Sequence, residues 1–331
     1  MMRHTLTAVA LLASSAALFA QPTTTKLDAV AGIPKVDDST QRQDIKFKNQ
    51  RDDRMTVPVR LSGTGPFQFL VDTGADRTAI SWEIAGKLGL VRGEKADVHT
   101  IAGISSVSTA TVPDLQLTHS PLKIIDAPVL DSATMGADGI LGVDSLRSQR
   151  VEFDFAAQTL SIVPSAAPDF HDEPGTIVVQ AARRNGRLVV TDAVANGRSV
   201  TVVIDTGAQL SIGNEALRQQ LVGHNLVDPS QKVQLESVTG DMLNGDYMFV
   251  RQLEIGGLTL KNLAIVFADA HTFKELKLDR KPALLLGMNA IRAFKKVSID
   301  FATRKFRVVL PESSQLEVRF ASARQPIGIP E

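Results

Sequence analysis

A chain of 331 residues with 44% hydrophobic content has room for two domains, each with a real core. Lys+Arg and Asp+Glu both number 36, and this zero formal charge argues against nucleic acid or an anionic membrane surface as the main partner. Cysteine is absent, which excludes thiol catalysis, disulfides and Cys-ligated zinc.

Arg3 and His4 precede an apolar run over residues 6–19, and small residues gather at Ala16, Ala17 and Ala20. That pattern predicts a cleaved signal peptide over residues 1–20. The run is short for a membrane span of about 20 residues, so the expectation is an exported protein, periplasmic or extracellular, with no stable membrane insertion after cleavage. Residues 21–53 are polar and read as a poorly ordered leader, with Ile45-Lys46-Phe47-Lys48 alternating like a short edge strand.

A first lobe is expected over residues 54–163. Val57 to Leu61 and Phe67 to Val71, joined by Gly63-Thr64-Gly65-Pro66, read as a hairpin that runs into Asp72-Thr73-Gly74. A short helix follows, with Ser81 near its N-cap and Gly89 at its stop. Short strands come next, then Gly139-Ile140-Leu141-Gly142 and a closing hairpin from Val151. Residues 164–175 have linker composition.

The pattern then restarts in a second lobe over residues 176–312. An Asn196-Gly197 turn of the type I′ kind leads into Val202-Val203-Ile204-Asp205-Thr206-Gly207. A helix capped by Asn214 and stopped by Gly223 follows, and Leu284-Leu285-Leu286-Gly287 matches residues 139–142. Matched points lie 133 (Asp72, Asp205), 137 (Gly103, Gly240), 138 (Leu115, Leu253), 145 (Gly142, Gly287) and 146 (Asp154, Asp300) positions apart. The offsets only grow and the order never changes, which predicts an internal duplication. One insertion, residues 270–282, reads as a charged helical surface excursion. Residues 313–331 read as a tail.

An apolar strand running into Asp-Thr-Gly puts a carboxylate at the end of a buried element, where desolvation is costly. Two such copies point to two carboxylates brought together, the arrangement in which two acids share one proton and activate water. Asp154 and Asp300 lie inside strand-like runs and read as structural hydrogen-bond acceptors. The six histidines show no metal-ligand spacing and read as surface residues, so no metal and no cofactor are expected.

The run Leu70 to Asp76, with Ala75 and an acid after the Gly, resembles the retropepsin signature. Ile140-Leu141-Gly142 and Leu285-Leu286-Gly287 resemble that family's second signature. The resemblance spans about residues 55–311 and implies an all-β, bilobal acid-protease fold: two retropepsin-like half-barrels related by a pseudo-twofold axis. It also implies an aspartic endopeptidase acting on polypeptide, with Asp72 and Asp205 as the catalytic pair. Thr73 and Thr206 would lock the lobes together. Gly74, Ala75, Gly207 and Ala208 would support the loops, and Asp76 and Gln209 would bind substrate backbone. Gly103 and Gly240 would lie in the flaps.

The sequence departs from the family in having Val143 and Met288 where Arg commonly follows the second-signature Gly, leaving Asp76 to find another partner or face the cleft. A monomer with both lobes in one site is expected. The alternatives are a non-catalytic peptide-binding protein on the same fold, or sites formed between lobes of two chains.

Overall fold

The computed structural model describes residues 25–26, 43–46, 55–117, 121–170, 172–224 and 231–311. The expected signal peptide, most of the leader and the tail beyond residue 312 lie outside these residues.

Each lobe is a curled β-sheet in which strands follow the same spatial order. In the first, Thr109–Gln116, Thr56–Leu61, Thr64–Val71, Gly139–Leu141, Ala79–Ser81 and Pro121–Leu130 lie side by side, and the last pairs back onto the first. In the second, Met242–Ile255, Arg187–Ala195, Arg198–Ile204, Ala283–Leu286, Ser211–Gly213 and Leu258–Phe267 repeat that order and the same closing pairing. The fold is all-β and bilobal. Closing each sheet on itself removes most free edges and surrounds an apolar core.

Local chemistry explains the connections. The Ser81 hydroxyl accepts the N–H of Ile84 at 3.3 Å, and Asn214 Oδ1 accepts that of Leu217 at 2.9 Å, capping the helices Trp82–Lys87 and Glu215–Val222. Asn196 and Gly197, at φ 47° and 77°, form the expected turn. In the first lobe the tight turn falls two residues earlier than expected. Leu61 pairs with Thr64, and Ser62 and Gly63 take the positive φ angles.

A third sheet joins the lobes. Gln149–Asp154 from the first lobe pairs antiparallel with Lys296–Asp300 from the second, and Gln43–Lys46 lies at the sheet's edge beside Thr159–Pro164. Asp154 accepts the Ala157 N–H at 2.8 Å and Asp300 accepts the Thr303 N–H at 2.9 Å, so both brace hairpin turns. The segment of linker composition is tied to this sheet. Buried Arg150 donates to the carbonyls of Ser165, Ala167 and Pro168, and the Ser165 hydroxyl donates to Asp300 at 2.7 Å.

The expected surface excursion is only half exposed. His271–Glu275 is helical, but Phe273, Leu276 and Leu278 are buried in the core of the second lobe. Its charged residues hide an apolar face that is too short to show a helical period.

Candidate active site

Both Asp-Thr-Gly loops follow directly from buried strands. The Asp72 N–H donates to Leu141 O at 3.0 Å and the Asp205 N–H to Leu286 O at 3.1 Å, so each aspartate backbone is tied to the strand of the second signature. Asp72 Oδ1 accepts the N–H groups of Gly74 (2.8 Å) and Ala75 (3.0 Å). Asp205 Oδ1 accepts those of Gly207 (3.0 Å) and Ala208 (3.1 Å). Two amides aimed at one oxygen favour the ionised form and fix the side-chain rotamer.

The loops interlock across the lobes. The Thr73 hydroxyl donates to Ile204 O at 3.0 Å and accepts the Thr206 N–H at 3.0 Å. The Thr206 hydroxyl donates to Val71 O at 2.7 Å and accepts the Thr73 N–H at 3.1 Å. Both threonines are buried, so every donor and acceptor of this square is satisfied away from water.

The same interlock brings the two carboxyls together. A methyl group on Gly74 would lie 2.5 Å from Asp205 Oδ1 and 2.7 Å from Oδ2. One on Gly207 would overlap the Asp72 carboxyl. Each acid therefore packs against the backbone of the opposite loop. Glycine is required here for space, since neither Gly74 nor Gly207 has a positive φ.

Burial pushes the Asp205 carboxyl up to about 7, and the negative charge of Asp72 adds to the rise. The Arg187 guanidinium and the amides of Ala208 and Gly207 pull in the other direction. The Asp205 carboxyl thus feels the charge of Asp72 across the lobe boundary, as two neighbouring acids do.

Asp76 finds its partner in the other lobe. Arg187, at the start of the strand Arg187–Ala195, places Nη1 3.0 Å from Asp76 Oδ1 and donates from Nε to Gly74 O at 2.6 Å. Burial raises the Asp76 carboxyl and Arg187 opposes that rise. Gln209 stands at the matching point of the second loop, where its carbonyl accepts the Asn289 N–H at 3.0 Å.

Behind each loop, the second signature passes close enough to require glycine. A methyl on Gly287 would sit 2.7 Å from the Leu210 carbonyl carbon, and one on Gly142 would overlap the Arg77 backbone. Short helices, Val143–Leu146 and Met288–Ile291, follow. They deliver Asp144 and Asn289, which accept from the backbone and hydroxyl of Thr78 (2.9 and 2.6 Å) and of Ser211 (2.9 and 2.8 Å).

Sequence reasoning missed Thr78, Ser211, Asp144, Asn289 and Arg187. A signal existed. Thr78 and Ser211 are 133 apart and Asp144 and Asn289 are 145 apart, the offsets of the aspartates and second-signature glycines. Arg187 has Arg54 at the offset of 133 as well, although Arg54 lies outside the described residues.

Two hairpins meet across the lobes. Gly103, at φ 156°, turns the hairpin Ala96–His99 with Ile104–Val107. Gly240, at φ 83°, turns the hairpin Gln231–Glu236 with Met242–Ile255. The hairpins cross. Ile101 packs on the core of the second lobe and Val238 on a core cluster of the first. The Ser105 hydroxyl donates to Asp241 Oδ2 at 2.8 Å, joining the two tips. The expectation of scattered surface histidines needs correction, because His99 and His271 are half-buried and their ring nitrogens lie 2.8 Å apart.

Two closed lobes, interlocked Asp-Thr-Gly loops and glycines threaded behind them define a bilobal aspartyl protease architecture. Comparison with known families agrees: the family described as gag-polyprotein putative aspartyl protease matches residues 57–148, and the family described as aspartyl protease matches residues 191–290. No curated protein matches the chain. The chain belongs to the retropepsin-like aspartyl proteases, with one such domain in each lobe.

Proposed function

We propose that this chain is an aspartic endopeptidase that hydrolyses peptide bonds in polypeptides with a water molecule held between Asp72 and Asp205. The observation that carries the reading is the packing of each carboxyl against the opposite loop, an arrangement that supports two acids sharing one proton. The ionised member takes a proton from water as it attacks the scissile carbonyl carbon, and the protonated member donates to the carbonyl oxygen. Return of a proton to the leaving amine breaks the C–N bond and restores the singly protonated pair. The chemistry calls for no cofactor.

An extended peptide would enter beneath the two hairpins and pair with backbone as an added strand. The cross-lobe threonine bonds, the Arg187–Asp76 pair and the joining sheet all favour one site built within one chain. The N-terminal signal pattern supports work in an exported compartment.

Asp72→Asn and Asp205→Asn should each reduce cleavage of a peptide library to background, while circular dichroism and Tm show a retained fold. Cleavage within about tenfold of the parent by either variant would contradict the shared-proton pair. Mixing the two variants should restore nothing. Recovered activity would mean that lobes pair between chains.

A further inference from the structure

The hairpin Ala96–His99/Ile104–Val107 meets the second lobe at a side-chain cluster that the proposed peptide chemistry does not use. His99 ends its strand, and His271 and Glu275 lie four residues apart on one face of the helix His271–Glu275. His99 Nδ1 is 2.8 Å from His271 Nε2 and 2.9 Å from Glu275 Oε1, and His271 Nε2 is 3.6 Å from the same oxygen. The side chains are 16%, 19% and 27% exposed, so the convergence point is sheltered but reachable.

A proton bridges only part of this triangle. On His99 Nδ1 it serves the two short contacts, to His271 Nε2 and Glu275 Oε1, and leaves the 3.6 Å approach of His271 Nε2 to the carboxylate unbridged. A proton on His271 Nε2 leaves the His99 lone pair facing Glu275 at 2.9 Å. With a proton on both nitrogens, two N–H groups oppose each other at 2.8 Å. A cation between the three atoms satisfies every pair at once. Ligands about 2.0–2.1 Å from a tetrahedral metal lie about 3.4 Å apart, and the three separations bracket that value.

We propose that His99, His271 and Glu275 form a binding site for a divalent transition metal of the Zn²⁺ type, which clamps the first-lobe hairpin to the second lobe. Two imidazoles and one carboxylate suit such an ion, and the fourth tetrahedral position is left to water. The clamp works with existing contacts. The His271 N–H donates to Ile101 O at 2.8 Å, and Ile101 packs on the core of the second lobe. Metal binding therefore stabilises the hairpin in its docked position and resists its opening. The linear sequence hides the site, because its ligands come from two lobes.

The test uses the full chain, stripped with a chelator and titrated with ZnCl₂ by calorimetry. About one Zn²⁺ per chain is expected. Its Kd should weaken roughly a hundredfold or more in His99→Ala and in His271→Ala, since even outer-shell changes at metal sites cost 10–100-fold. X-ray absorption of the Zn²⁺-loaded parent should show two imidazole nitrogens and one carboxylate oxygen at about 2.0–2.2 Å. Zn²⁺ should also slow amide hydrogen exchange at residues 100–103. Absence of stoichiometric binding, binding undiminished in both histidine variants, or a different ligand set would overturn the proposal. Should a variant fail to fold, the absorption spectrum of the parent decides alone. None of these readouts requires peptide cleavage, so their outcome is separate from that of the proposed function.

Discussion

The two Asp-Thr-Gly loops have one hydrogen-bond frame and different charges. Thr78 and Ser211 occupy the same place and both donate to the side chain delivered by the following short helix. In the first lobe that acceptor is Asp144 and the residue two after the glycine is Asp76. In the second they are the neutral Asn289 and Gln209. The frame depends on acceptor geometry, which an amide oxygen meets as well as a carboxylate oxygen. The charge does separate work. Asp76 draws Arg187 across from the second lobe, and Arg187 is the cation that opposes the rise of both Asp76 and Asp205. Asymmetry in the supporting residues can therefore distinguish two aspartates that sequence makes look equivalent.

Removing Arg187 should break this comparison most severely. Arg187→Met leaves Asp76 largely buried without its cation and strips a donor from Gly74 O, at a cost of about 3–5 kcal/mol in unfolding free energy. The same change should raise the Asp205 pKa, carrying the basic limb of any cleavage profile to higher pH. Chemical denaturation and a pH–rate profile check the two effects. A loss below about 1 kcal/mol with an unmoved profile would mean that Arg187 is incidental to the loops.

A second effect concerns stability against pH. The Asp205 carboxyl is raised from 3.8 to about 7 in the folded chain, so between these values the native state holds a proton that the unfolded chain has released. Its contribution is fully present below about pH 4 and is lost as pH rises toward 7, at no more than about 1.4 kcal/mol per pH unit. Urea unfolding across that window should show the decline, and Asp205→Asn should flatten it. An identical slope in the variant would assign the proton elsewhere.

The mildest change makes one loop chemically like the other. Asp144→Asn should cost less than about 1 kcal/mol, because Asn289 already makes the equivalent bonds in the second lobe. A loss above about 3 kcal/mol, read by denaturation, would show that the first loop needs the charge itself.

Much of this architecture is legible in the sequence because it is written locally. Apolar runs ending in Asp-Thr-Gly, the second-signature glycines and the cap residues Ser81 and Asn214 each announce an element through their chain neighbours. The ordered, slowly growing offsets then align one lobe on the other. What escapes is contact between elements remote in sequence. Arg187 is just a strand residue until the fold brings it to Asp76, and His99 gains meaning only beside His271, 172 positions away. The segment over residues 270–282 was misread for a related reason. Its exposed charges dominate a stretch in which Phe273, Leu276 and Leu278 face inward.

The central claim is that Asp72 and Asp205 titrate as one pair. Carbon-13 NMR of aspartate carboxyl carbons in the full chain, assigned with single Asn variants, tests it directly. The account predicts that Asp205 stays protonated to about pH 7 in the parent, and that Asp72→Asn lowers this value without returning it to 3.8, because burial remains. Two carboxyls that both ionise near pH 4, each indifferent to substitution of the other, would contradict it.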